Sequence, residues 1–299
     1  MVKSAKPVTV ALSYAKAISA AQAQAVLFGA DTNAAGHSES FLGKQALQSQ
    51  LRTPDFVRAS DNESPALPRN LREGDALFDA GNLTISSTSV RGQIESVCQE
   101  FLSIWKAGRV PICIGGDHLI KHAALEALQV SQPRSIVIYV DAHPDIVQSA
   151  DFNYATVIHQ AFLRDPDFVK ALFLVGIRQV NATEAAGIRH WKPQIIQAQD
   201  FYSQSIREIY APISLLKNRF DSVFLSIDLD GLDPACAPAV EAPYPSGLRL
   251  AHLIELIHLL ARDFKINGAD ISEIMPDRDP TRLTALASAR IIKEIYSCL

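Results

Sequence analysis

Cysteine is scarce in this chain of 299 residues. The four present, Cys98, Cys113, Cys236 and Cys298, lie far apart and form no C-x-x-C pair. That excludes a disulfide framework and a thiolate zinc cage, and it suits free thiols in a reducing compartment. An excess of basic residues is missing too. Lys plus Arg is 28 and Asp plus Glu is 32, a formal net charge of −4, so nucleic acid is not an expected partner. No apolar run reaches the roughly 18 residues of a membrane-crossing helix. The uncharged stretch 17–30 is interrupted by Gln22 and Gln24 and makes a poor signal peptide. The expected setting is therefore the cytoplasm, without a membrane partner. Internal repeats, low-complexity tracts and an interdomain linker are also lacking. Residues 53–70, with Pro54, Pro65 and Pro68, read as a surface loop. Residues 1–299 are expected to form one domain.

The composition that remains, 48% hydrophobic and 20% charged, is that of a globular protein and excludes wholesale disorder. Short apolar runs alternate with longer amphipathic ones, the rhythm of a parallel α/β sheet with helices on both faces. Strands are expected at 26–29, 76–79, 110–114, 135–140, 172–176, 194–197, 222–227 and 268–274. Several, such as "SIVIYV" and "VFLSI", are continuously apolar, as strands buried on both faces should be. A helix over 92–107 places Ile94, Val97, Phe101, Ile104 and Trp105 on one face before Gly108 stops it. A second over 250–264 aligns Leu253, Ile254, Ile257 and Leu260, and a third over 281–299 closes the chain.

Three apolar runs end in charged clusters. "VPICIGGDHLI" delivers Asp117 and His118. "SIVIYVDAHPD" delivers Asp141, His143 and Asp145, and "SVFLSIDLDGLDP" delivers Asp228, Asp230 and Asp233. Open parallel sheets bind ligands at the carboxyl ends of their strands, so the three clusters can converge. In an extended chain, positions i, i+2 and i+4 share a face, which would align Asp141 with His143 and Asp145, and Asp228 with Asp230. Four carboxylates in one pocket repel and raise one another's pKa unless cations neutralise them. Two imidazoles in an oxygen-rich set suit Mn²⁺, with Zn²⁺, Fe²⁺, Co²⁺ and Ni²⁺ as alternatives. Of the other histidines, His122 follows His118 by one turn and could support it, and His37 lies in a loop that could approach the crevice. His190 reads as structural or exposed, and His252 and His258 as helix surface or boundary residues.

Together, "GGDH", "DAHPD" and "DLDGLDP" resemble the ureohydrolase superfamily of arginases, agmatinases, guanidinobutyrases and formiminoglutamases. "ADISEIMPDRDPTRLTALASARII" resembles its last strand and closing helix. The resemblance implies a single three-layer α/β/α domain around a mostly parallel eight-stranded sheet, and a homo-oligomer. It implies a binuclear centre of two Mn²⁺ per chain held by His118, Asp141, His143, Asp145, Asp228 and Asp230. Asp141 and Asp228 would bridge the two ions, Asp145 would also meet the nucleophile, and Glu273 would hold the guanidinium. The implied reaction is hydrolysis of a guanidino group to urea and an amine.

The sequence departs from the family where the far end of the substrate is read. Tyr154-Ala155 stands where the family has a His-Gly pair, and His159 lies five residues on. Val147 replaces an Asn usual in arginases, and Ala242, beside Glu241, replaces a Thr. Tyr154 is thus expected at the substrate. These changes point away from free arginine and toward an arginine side chain within a peptide, converted to ornithine. Agmatine or guanidinobutyrate is the alternative small-molecule substrate. The remaining alternatives are an ordinary arginase, a non-catalytic metal-binding paralogue and a one-zinc deacetylase on a related fold.

Overall fold

The computed structural model describes residues 23–32, 77–132 and 134–299. The loop expected at 53–70, His37 and Ala76 lie outside them. All eight expected strands form: β1 Ala25–Ala30, β2 Leu77–Asn82, β3 Val110–Gly115, β4 Ser135–Val140, β5 Leu172–Ile177, β6 Gln194–Gln197, β7 Ser222–Asp228 and β8 Lys265–Ser272. Every pairing among them is parallel, and the order is β2-β1-β3-β8-β7-β4-β5-β6. The continuous apolar runs explain the middle of that order. In β3, β4 and β5 every residue is buried, and in β7 and β8 all but the first. Successive strand residues face opposite sides, so both faces of the sheet are covered, giving the three-layer α/β/α architecture.

The covering helices are α1 Val90–Lys106, α2 Leu119–Ser131, α3 Val157–Arg164, α4 Ala182–Trp191, α5 Ile206–Ser214, α6 Leu250–Asp263 and α7 Leu283–Ser297. Helix α1 starts where the Ser89 hydroxyl accepts the Gly92 N–H at 3.1 Å, satisfying one of the free donors of the first turn. Its apolar stripe seats Phe101 between Phe28 of β1 and Phe224 of β7, at ring distances of 5.2 and 6.0 Å. It ends before Gly108, whose φ of 72° suits glycine. In α6 the buried stripe is Leu253, Leu256, Ile257 and Leu260. Leu256 thus takes the place expected for Ile254, because the buried face is rotated slightly from the one the spacing predicts.

The chain runs outward to the β2 edge, returns to β3, and then crosses to β4 on the far side of β7 and β8. The connection out of β4 leads outward to β5 and that out of β7 turns back to β8, so the two diverge and leave a crevice at the carboxyl ends of β3, β8, β7 and β4. Three of these four strands end in the charged clusters, and Glu273 follows β8.

Candidate metal centre

The convergence arises from turns, which corrects the alternation expected from extended chain. Strand β4 stops at Val140, and Asp141 Oδ1 accepts the His143 N–H at 2.8 Å. Asp145 has φ 46°. Strand β7 stops at Asp228, followed by a 3₁₀ turn over Leu229–Gly231. There Asp228 Oδ1 accepts the Asp230 N–H at 2.8 Å. Short carboxylates bonding the backbone two residues on make such turns. Asp230 Oδ1 in turn accepts the Ala142 N–H at 3.0 Å and ties the two turns together. Val140 pairs with Ile227 in the ladder, so the two turns leave the sheet side by side. A Cβ on Gly231 would stand 2.9 Å from the Asp141 nitrogen, so this approach needs glycine.

Two of the functional candidates carry backbone strain. Asp145 and Glu273, at φ 46° and 68°, occupy the left-handed region that non-glycine residues rarely adopt. The Glu273 N–H donates to the Gly116 carbonyl at 3.0 Å, which fixes the end of β8 against the GGDH turn. Gly116 itself is pressed on Thr32, whose carbonyl oxygen would lie 2.1 Å from an added Cβ.

The six expected ligands and Glu273 come together. His118 Nε2 lies 3.0 Å from Asp145 Oδ2, 3.1 Å from Asp228 Oδ2 and 3.6 Å from Asp141 Oδ2. Its Nδ1 meets Glu273 Oε1 at 2.5 Å. His143 Nδ1 lies 3.0 Å from Asp230 Oδ2 and 3.5 Å from Asp141 Oδ1, and its Nε2 meets Gln179 Oε1 at 2.8 Å. Donor atoms close enough to share one cation occur in three sets: His118, Asp141 and Asp145; His118, Asp228 and Glu273; Asp141, His143 and Asp230. Asp141 and Asp228 are fully buried, and His143 is the most exposed donor.

The sequence reading missed two residues of this centre. Lys121, one turn after His118 on α2, is fully buried. Its ammonium lies 3.0 Å from Asp141 Oδ2, 3.4 Å from Asp228 Oδ2 and 4.2 Å from the centre of the Tyr139 ring. Tyr139, also fully buried, donates its hydroxyl to Asp145 Oδ2 at 2.6 Å. The signals were a lysine in the otherwise apolar turn "HLIKHAAL" at i+3 from a proposed ligand, and a hydroxyl inside an apolar strand.

Burial pushes the Asp145, Asp228, Asp230 and Glu273 carboxyls above the usual range, as expected of crowded acids. Asp141 departs from that expectation. Burial would raise it too, but the Lys121 ammonium and the two imidazoles hold it well below. Burial also opposes charge on the imidazoles, and the carboxylates outweigh it. Asp145 and Glu273 hold His118 well above its usual value, and Asp141 and Asp230 push His143 up to about 12. The centre thus holds more buried carboxylates than basic groups to neutralise them, an arrangement suited to cations.

Other candidates lie elsewhere. His159 Nδ1 accepts the Trp191 Nε1–H at 3.0 Å, a packing role. His122 donates from Nε2 to the Asn153 carbonyl at 2.9 Å, and burial lowers its pKa to about 3, so it stays neutral. His258 Nε2 pairs with Glu294 Oε2 at 2.7 Å, and His190 packs edge-on to Trp191. Tyr154 opens a 3₁₀ turn ahead of α3 and is 43% exposed. The neighbouring Ala155 carbonyl accepts the Val147 N–H at 2.8 Å.

The donor set is oxygen-rich with two imidazoles, in buried groups close enough to share cations, and it fits hard or borderline divalent metals. Comparison with known proteins agrees. Residues 24–298 match the model of the Arginase family, and the chain belongs to that family, whose members are metal-dependent amidinohydrolases. It is 28% identical over 237 residues to an agmatinase of Bacillus subtilis, covering 78% of each chain. It is 26% identical over 269 residues to the mitochondrial arginase 1 of Arabidopsis thaliana, covering 87% of this chain and 77% of that one. The structure superposes on the agmatine ureohydrolase of Thermoplasma volcanium with a TM-score of 0.77 and 25% identity, covering 97% and 94% of the two chains.

Proposed function

We propose that this chain hydrolyses a guanidino group to urea and an amine, using two Mn²⁺ held by His118, Asp141, His143, Asp145, Asp228 and Asp230. The observation that carries the reading is the convergence of all six, with Glu273, at the ends of four adjacent central strands. Divalent ions bound there supply Lewis acidity and a water activated near neutral pH.

The chain's own groups do the rest. Glu273 offers a buried carboxylate beside His118, and a planar guanidinium can meet it in charge-assisted hydrogen bonds. That fixes the electrophilic carbon over the nucleophile, the proximity contribution to rate. Tyr139 holds Asp145 by its hydroxyl, keeping that carboxylate oriented toward the centre. Water adds to the guanidinium carbon, the carbon–nitrogen bond to the substrate chain breaks, and the leaving nitrogen takes a proton to depart as amine.

The favoured substrate is an arginine side chain in a peptide, converted to ornithine. The support is the pair of departures at Val147 and Tyr154, which lie on segments joined by the Val147–Ala155 hydrogen bond. Likeness to agmatinases supports agmatine as the second reading. The test is urea release from a panel of free arginine, agmatine, guanidinobutyrate and arginine peptides with Mn²⁺. Urea from none of them would overturn the assignment.

A further inference from the structure

Lys121 is not among the donors this function requires, yet it is as fully buried as Asp141 and Asp228. A fully buried ammonium persists only beside fixed opposite charge. Its partners are Asp141 Oδ2 at 3.0 Å and Asp228 Oδ2 at 3.4 Å, with the face of Tyr139 behind it. Those are the same two oxygens that lie nearest His118 Nε2 on Asp141 and Asp228. The opposite side of the centre is free of the lysine. There His143 Nδ1 faces Asp141 Oδ1 and Asp230 Oδ2.

The fold makes the asymmetry unavoidable. Residues i and i+3 of a helix lie on one face. The turn that delivers His118 therefore delivers Lys121 to the same side. Any cation entering among His118, Asp141 and Asp145 meets a positive charge already bonded to one of its oxygens. A cation entering among Asp141, His143 and Asp230 does not.

We propose that Lys121 is an internal cation that makes the two metal places unequal. The place formed by Asp141, His143 and Asp230 takes the first divalent ion tightly. The place on the His118 side takes the second only at much higher metal concentration. This inference rests on the metal-dependent reading above.

The test is titration of metal-stripped protein with Mn²⁺, counted by equilibrium dialysis and elemental analysis and followed by electron paramagnetic resonance. The wild type is expected to bind one ion tightly, with the spectrum of an isolated Mn²⁺. A second ion, weaker by about 100-fold or more, should then bring spin coupling. Lys121→Met keeps the length and removes the charge, and it should bring the two affinities within about tenfold. His143→Ala should remove the tight ion, and His118→Ala only the weak one. Two ions of equal affinity in the wild type, or an unchanged gap in Lys121→Met, would overturn the inference and leave the metal hydrolase standing. No ion in either protein would overturn both. Should Lys121→Met fail to fold, the wild-type titration still decides.

Discussion

The central strands end in two polar clusters of opposite character. At the amino ends of β4 and β7, Ser135 Oγ meets Ser222 Oγ at 2.7 Å, and Asn267 Nδ2 donates to both, at 2.6 and 3.2 Å. At the carboxyl ends of the same strands stand Asp141 and Asp228, fully buried and surrounded by further acids. Neutral groups can answer one another's hydrogen bonds, and the first cluster largely does so within the chain, with Asn267 Oδ1 left over. Like charges cannot answer one another. Among the described residues the second cluster sets Lys121 and two histidines against five carboxylates, a deficit that added cations would make up. One end of the sheet is thus built for stability and the other for binding.

The largest effects should come from breaking the charged end. Asp141→Asn removes a carboxylate common to two of the three donor sets, and Asp228→Asn removes one belonging to the third. Each should lower metal affinity by at least about 100-fold and abolish urea release. Elemental analysis of the purified variants checks this, and full metal content with full activity in Asp228→Asn would mean the ligands are misassigned. Next in size is Glu273→Gln, which removes charge and keeps shape. It should lower kcat/KM by about 10–200-fold, roughly 1.5–3 kcal/mol, with metal content retained. Loss of metal in this variant would instead make Glu273 a ligand, consistent with its contact to His118.

What the sequence made legible follows from how each part is encoded. Continuous apolar runs announce strands covered on both faces, and all eight form close to their expected bounds. The proposed ligands were legible because acids at the ends of such runs have no packing reason to be there. Lys121 was hidden because a lone lysine in a helix ordinarily faces water, and only the three-dimensional course of α2 shows that it turns inward. The turn geometry was hidden as well. Asp145 and Glu273 adopt positive φ without being glycine, so no residue type marks the bend, and turns rather than extended alternation bring the expected residues together.

The neutral end should respond in stability alone. Ser135→Ala and Asn267→Ala each strand a buried partner, at a cost of about 1–3 kcal/mol. Thermal unfolding should register the loss, while metal content and KM stay at wild-type values. A change in metal stoichiometry in either variant would show that the two ends are coupled through the strands and would undo the contrast drawn between them.

The smallest effect is expected around Val147 and Tyr154, where we propose that the substrate's far end is read. A site that pairs a charged tail strongly rejects analogues lacking it, because its own polar groups are then left unpaired. Here Val147 offers no side-chain hydrogen bond, and its backbone N–H is already spent on the Ala155 carbonyl. The adjacent Tyr154 presents an aromatic ring, 43% exposed, in place of an imidazole. Such a segment has less with which to demand a free α-carboxylate. Values of kcat/KM for free arginine, arginine amide and an arginine peptide should therefore fall within about tenfold of one another, or favour the blocked forms. A preference for free arginine of about 100-fold, roughly 2.7 kcal/mol, would require a tail-binding group other than these. It would return the chain to the ordinary arginases while leaving the contrast between the two strand ends untouched.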